Sequence, residues 1–291
     1  MIQRNDLARA AVHALWASAA FALMGACIKA VSAQTSTEVV VFFRNAVSLL
    51  LLLPLMWRSG LRNTVRTDKP GGHLLRTGFG MAAMYCFFYA IGHLPLAAAV
   101  LLTYSTPLWV PFIAWLWLRE RPDPIVFPSV LLGLAGIALI VKPGSGAFGG
   151  MAVIVGLAAG VLAGFAMVSI RRISDTEPPE RIVFYLAAVG TLISLPPLYW
   201  AWQTPDARTL VLLVGTGAFA TLGQLQLTRA YGCAPAARVG PFGYSAVMFS
   251  ALLAWVLWGE SLDRWALLGM LVVIASCILA GWRRREPQME E

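Results

Sequence analysis

The sequence predicts an all-α integral membrane protein, with ten transmembrane helices arranged as two inverted five-helix repeats. Three observations carry this: the composition, a series of ten apolar stretches, and a self-similarity between the two halves of the chain. Of 291 residues, 59% are hydrophobic and 12% charged, against about 45–50% and about 25% in a soluble domain. Too few polar groups remain to cover such a surface in water. Those present gather in short connectors between apolar runs, which is the pattern a bilayer selects.

In chain order the predicted spans are Ala8–Val31, Thr37–Trp57, His73–Gly92, Pro95–Leu118, Ile125–Val141, Gly149–Ile170, Arg181–Trp202, Thr209–Gly232, Pro235–Gly259 and Trp265–Trp282. Each is near the length of about 20 residues that crosses the hydrocarbon core. The first follows Arg4 and Arg9 and ends near Ala30-Val31-Ser32-Ala33, which also fits a secretory leader. Its length, and the nine similar stretches behind it, make it the first span. Gly92 and Gly232 can end a helix, and Pro95 and Pro235 suit the first turn of the next, where a missing N–H costs nothing.

The net charge of +8 does not point to nucleic acid, because the basic residues flank apolar runs and serve as topology signals and lipid-headgroup contacts. With the N-terminus inside, seventeen of the 22 Lys and Arg residues fall in cytoplasmic segments, Arg58, Arg62, Arg66, Lys69 and Arg76 among them. Lys29, Lys142, Arg208 and Arg264 fall outside, and Arg44 lies within a span. Both termini are therefore expected in the cytoplasm of a bacterial-type inner membrane, which requires an even number of spans.

Cys27, Cys86, Cys233 and Cys277 are scattered through apolar runs with no CxxC pair and no His/Cys cluster. They read as small buried hydrophobes, and no disulfide, metal or cofactor is expected.

The repeat is visible in shared punctuation. A shift of 142 residues aligns Val41-Phe42-Phe43 with Val183-Phe184-Tyr185, Glu38 with Glu180, and Leu53-Pro54 with Leu195-Pro196. A shift of 140 aligns Ala90, Gly92, Pro95, Tyr104, Trp115 and Glu120 with Ala230, Gly232, Pro235, Tyr244, Trp255 and Glu260. One duplication explains both, with halves 1–141 and 142–291. Five spans per half is an odd number, so the halves must be inverted, the common architecture of secondary transporters with a site near the midplane between them.

Ten spans, the five-plus-five repeat, and a span ending Trp-Leu-Arg-Glu (117–120) echoed by Leu-Trp-Gly-Glu (257–260) resemble the drug/metabolite transporter superfamily in its EamA-type branch. Arg44 early in the second span and the Gly-x-x-Pro joints before the fourth and ninth also match that branch. The resemblance covers nearly the whole chain and implies a solute exporter or facilitator without specifying the solute.

All fourteen acidic residues sit at span ends or in connectors. A proton antiporter for cationic drugs needs a membrane-embedded carboxylate, and the small multidrug resistance branch depends on one, so that alternative is disfavoured. Cations are candidates instead: Arg44, Lys29, Arg229 and Arg238. A charge inside the bilayer costs about 2.5–3.5 kcal/mol on insertion scales and marks function by default. These residues form a vestibule for carboxylate-bearing solutes, or else snorkel to the interface.

Thr103-Tyr104-Ser105-Thr106-Pro107, followed by Pro111, interrupts the fourth span, and Gly240-Pro241-Phe242-Gly243-Tyr244 interrupts the ninth. Broken helices at matching places of two halves are the sequence pointer to a carrier's binding site, and a packing kink is the plainer reading. Tyr85, Tyr89, Trp109, Trp16, Phe21, Gln224 and Gln226 supply aromatic walls and polar anchors, and His13 is a packed residue or a proton relay. Gly156, Gly160 and Gly164 form a helix-contact face.

The expectation is a secondary transporter exporting a small neutral or zwitterionic metabolite, an amino acid and in particular an aromatic or hydrophobic one. It would work by alternating access through a cavity lined by spans one, three, four, six, eight and nine. Substrate-binding candidates are Tyr85, Tyr89, Tyr104, Trp109, Gln224, Tyr244 and Arg44. Gating candidates are Pro107, Pro111, Gly240 and Pro241. The expected partners are a small-molecule solute and membrane lipid; a monomer suffices and a dimer stays open. A multidrug/proton antiporter is the first rival. A membrane-embedded enzyme would need clustered acid/base, metal-ligating or nucleophilic groups at the membrane face, which three isolated histidines do not provide.

Overall fold

A computed structural model describes residues 7–59, 66–118, 124, 126–141, 150–173, 176–233, 242–243, 245–260 and 264–281. They form α1 (Leu7–Val31), α2 (Thr37–Ser59), α3 (Pro70–His93), α4 (Leu96–Thr103), α5 (Thr106–Leu118), α6 (Val126–Val141), α7 (Gly150–Ile173), α8 (Pro179–Ser194), α9 (Leu198–Ala201), α10 (Ala207–Cys233), α11 (Ser245–Trp258) and α12 (Arg264–Gly281). α4 and α5 are two parts of one span, and α9 is the last turn of the span that α8 begins. Ten membrane-crossing units result. Five of them, within α1, α2, α3, α7 and α10, are long and apolar enough to cross by themselves.

Helix pairing follows the duplication. α1 packs along α10 and α3 along α7, while α2 meets α8, α6 meets α12 and α4 meets α11. Counted as spans, one with eight is the counterpart of six with three. Two with seven, four with nine and five with ten pair each span with its own repeat partner. Spans separated by five in an alternating bundle run antiparallel, so these contacts describe two inverted five-helix halves related by a pseudo-two-fold axis in the membrane plane.

The bundle has a near end, where α1 starts, and a far end, where it stops. Small residues let the helices meet closely. Along α7, a Cβ added to Gly156 would lie 2.9 Å from Leu102 Cδ1, and one added to Gly160 would lie 2.9 Å from the Leu102 carbonyl. Backbone approach of this kind replaces hydrophobic driving force, which lipid does not supply between helices. The core runs through α1, α3 and α4, with Ile28, Ile91, Leu96, Leu101 and Leu102 fully buried.

Two spans differ from the sequence expectation. The seventh, predicted as continuous over Arg181–Trp202, bends at Leu195-Pro196-Pro197. Two successive prolines remove two donors. The chain tightens there into a turn in which the Leu198 amide bonds the Leu195 carbonyl at 3.1 Å. The ninth, predicted over Pro235–Gly259, is α-helical over Ser245–Trp258 after a tight turn at Phe242-Gly243, and its predicted start at Pro235 lies outside the described residues. Gly240, Pro241 and Tyr244, three of the predicted site and gating residues, lie outside the described residues, as does Arg238.

Candidate substrate site

The fourth span breaks where its sequence loses continuity. α4 ends at Thr103, Tyr104 and Ser105 form a turn, and α5 restarts at Thr106. Pro107 thereby falls in the first turn of α5, where no amide donor is needed, and the helix continues through Pro111. The carbonyls freed by the break are satisfied locally: Ser105 Oγ donates to the Leu102 carbonyl at 2.6 Å, and Thr106 Oγ1 to that of Thr103 at 2.7 Å. Thr106 Oγ1 also lies 3.1 Å from the Gly160 carbonyl on α7. Irregular backbone at membrane depth persists only when enclosed in this way. α4 has 8 residues, so the break lies about 12 Å from the far end at 1.5 Å per residue.

The ring of Tyr104 rests on Gly243, where an added Cβ would be 3.6 Å from Cε1. The turn before α11 also touches α1, with Ser18 Oγ donating to the Phe242 carbonyl at 3.4 Å. The irregular segments of the two halves thus meet face to face inside the bundle.

A second feature is a buried polar band between α2, α3, α8 and α10. Arg44, Asn45 and Ser48 of α2 are buried, Arg44 to 3% exposure. Arg44 Nη1 donates to Asn45 Oδ1 at 2.8 Å, and Asn45 Nδ2 donates to the Val41 carbonyl at 2.9 Å. Thr221 Oγ1 of α10 donates to Ser48 Oγ at 2.8 Å. On α3, Arg76 is 4% exposed. Its Nη2 lies 3.5 Å from Gln224 Oε1, while Nε and Nη1 are buried without a hydrogen-bond partner. Both arginines reach the same stretch of α3: Asn45, the partner of Arg44, lies with Nδ2 3.5 Å from Met81 Sδ, and a Cβ added to Gly80 would lie 3.3 Å from Arg76 Nη1. Among the described residues neither forms an ion pair with a carboxylate.

The remaining predicted residues are dispersed. Tyr85 is half-buried with its hydroxyl enclosed and unpartnered. Tyr89 lies near the far end, stacked on His93 with ring centroids 4.1 Å apart. Trp109 packs toward α7 with Phe165, and its Nε1 donates to Ser105 Oγ at 3.2 Å. Tyr104 is the aromatic that joins the halves; Arg44 and Gln224 belong to the polar band. His13 is hydrogen-bonded to Gln226 across 2.8 Å, Phe21 packs against Gly223, and Trp16 points out of the bundle at 59% exposure. Lys29 is paired with Glu260.

Sequence reasoning missed two groups. Arg76 was counted as a topology signal, yet it lies inside α3 and is buried. Glu177, read as a connector carboxylate, is 4% exposed. It accepts from Thr67 Oγ1 at 2.7 Å and pairs with Arg181 at 2.8 Å and His73 at 3.3 Å, closing the near end. Burial pushes this carboxyl up, but the hydrogen bonds from Arg181, Thr67 and His73 outweigh it and hold it below the usual range. The signal available was Arg181 four residues after Glu177, a helix-spaced ion pair.

The model of the EamA-like transporter family matches the chain twice, over residues 8–142 and 150–282. The chain belongs to the EamA-like transporter family. It is 35% identical over 268 residues to a Pseudomonas aeruginosa protein named as a pseudopaline exporter, covering 91% of this chain and 93% of that one. It is 26% identical to a riboflavin transporter of Vibrio cholerae, covering 95% of each chain. It is 28% identical to an S-adenosylmethionine uptake transporter of Rickettsia felis, covering 82% of this chain and 81% of that one. One solved structure superposes with a TM-score of 0.68 at 18% identity, over 95% of this chain and 96% of the other, which shows the shared fold. The protein is a multi-pass membrane transporter, and its relatives move small molecules of unlike chemistry in both directions.

Proposed function

We propose that this EamA-family transporter is a secondary carrier exporting a small amino-acid-type metabolite from a bacterial cell by alternating access between its halves, 1–141 and 142–291. The observation that carries this reading is the contact of Tyr104, at the α4–α5 break, with Gly243 of the opposite half. A solute wedged between two irregular segments of inverted halves is exposed to one side or the other as the halves rock. Tyr104 is assigned to that place, and Gln224 and Arg44 of the polar band, with Tyr85, Tyr89, Trp109 and Tyr244, are the further substrate contacts this reading proposes. Lys and Arg bias along the connectors supports an orientation with both termini cytoplasmic, which makes the near end the inner one. One chain contains both halves, so a monomer is sufficient.

Purified protein in liposomes, assayed for saturable uptake of radiolabelled amino acids with and without a pH gradient, tests the reading. Saturable transport that Tyr104→Ala abolishes in a folded variant is expected. Absence of transport for every amino acid offered would overturn the substrate class.

A further inference from the structure

Arg76 and Arg44 form the best-marked unexplained chemistry of the molecule. Each is almost wholly buried, and no carboxylate among the described residues neutralises either. Arg76 keeps two guanidinium nitrogens with no acceptor, and its third meets Gln224 only at 3.5 Å. Burying a cation without a counter-charge is costly. A fold that retains two such groups on one stretch of α3 leaves a place for anions. Guanidinium is also suited to this role: it is always charged, and its planar fork matches a carboxylate with two parallel hydrogen bonds.

Position fixes what kind of anion can enter. Arg44 lies seven residues into α2 from the far end, and Arg76 six residues into α3 from the near end. At 1.5 Å per residue each is about 10 Å inside the bundle, from opposite sides. A lipid headgroup at either surface does not reach both. The uncharged amides Asn45 and Gln224, next to Arg44 and Arg76 respectively, can orient the carboxylates without competing for charge.

We infer that Arg44 and Arg76 together hold a solute carrying at least two carboxylates and a net negative charge, one carboxylate per guanidinium. This deepens the carrier reading above and rests on it. It replaces the neutral or zwitterionic solute expected from the sequence with acidic amino acids and amino-acid-derived polycarboxylates.

The test uses full-length protein in detergent at fixed ionic strength. Thermal stabilisation is titrated with glutamate, glutamine, succinate, citrate and sulfate. The expected result is saturable stabilisation by the di- and tricarboxylates, at least about tenfold weaker for glutamine. Arg44→Gln and Arg76→Gln should each weaken it by about tenfold or more. Arg→Lys at either position should retain part of it, which separates the point charge from loss of the fold. Arg208→Gln, on the exposed first turn of α10, serves as a remote control and should leave it unchanged. No saturable response to any carboxylate, equal response to sulfate, or a response insensitive to both arginines would overturn the inference. Neutral amino-acid transport in liposomes that survives Arg76→Gln would likewise overturn it while leaving the carrier reading intact. Loss of all transport, with polycarboxylate binding retained, would overturn the carrier reading alone.

Discussion

The carboxylate of Glu260 meets the ammonium of Lys29 at 2.5 Å, tying the end of α11 to the end of α1. Its second oxygen accepts the Leu96 amide, an orphan donor at the start of α4, at 3.2 Å. Lys29 in turn donates to the Leu94 carbonyl at 3.2 Å. The geometry begins with Gly259, whose φ of +64° lets the chain double back after Trp258. The Glu260 amide then bonds the Ala254 carbonyl at 3.2 Å. One carboxylate therefore latches the two halves at the far end.

Opening that latch should shift the halves toward a far-end-open state. Lys29→Gln or Glu260→Gln is expected to raise hydrogen exchange around residues 94–98 and in the last turn of α11. The stability loss should be small, about 1 kcal/mol, because both side chains are partly exposed. The swap of Lys29→Glu with Glu260→Lys should restore part of the protection but not the Leu96 cap. Unchanged exchange in the single variants would dispose of the latch.

At the opposite end, Glu177 gives the protein an acid-sensitive clasp. Its carboxyl is held below the usual range in the folded state. Its contribution is therefore complete above the ordinary Glu range of about 4.3 and is lost as pH falls through and below it. The melting temperature should drop between about pH 5 and pH 3. Glu177→Gln should lie below wild type at pH 7 and lose less on acidification. Parallel profiles for the two proteins would show that the clasp does not govern acid stability.

Gly160 is the tightest constraint at the helix break, because an added Cβ would lie 2.7 Å from Ser105 Oγ and 2.9 Å from the Leu102 carbonyl. Gly160→Ala should cost about 1–3 kcal/mol through overpacking and reduce transport. Gly71→Ala, with nothing within 4 Å of the new methyl, should be close to neutral in both assays. Equal behaviour of the two variants would contradict the close packing of α7 on the break.

Thr106→Val keeps the volume but removes the hydroxyl that serves the carbonyls of Thr103 and Gly160. A loss of about 1–2 kcal/mol is expected, since the Thr103 carbonyl freed by the break loses its donor. Thr106→Ser should retain most of the stability, and a Val variant as stable as wild type would mean that the break is not held by this bond.

How much of this could be read from the chain depends on the range of the interaction. Span positions follow from local hydropathy, and the α4–α5 break follows from Pro107 and its Ser/Thr neighbours, all within five residues. The bend of the seventh span was equally local in Pro196-Pro197, and its composition disguised it as uninterrupted apolar helix. Arg76 escaped because a positive charge six residues from a helix start looks the same whether it snorkels or is buried. Only the approach of Gln224, from a distant part of the chain, distinguishes the two. Glu177 escaped for the same reason, since His73 and Thr67 reach it across more than a hundred residues. Lys29 looked like an interfacial cation because its partner, Glu260, belongs to the other half.

The pairing of helices across the duplication has a consequence for how the molecule can be divided. α1 leans on α10, α3 on α7, α2 on α8, α6 on α12 and α4 on α11, so each half supplies the other's main contact surfaces. A polypeptide ending after α6 would be one glove of a pair, its seams open on every helix. Cut between α6 and α7 and made as two chains in one cell, the fragments should find each other and rebuild the carrier, while either alone should be degraded. By the same logic an isolated half could bury these surfaces only against a copy of itself lying the opposite way through the membrane.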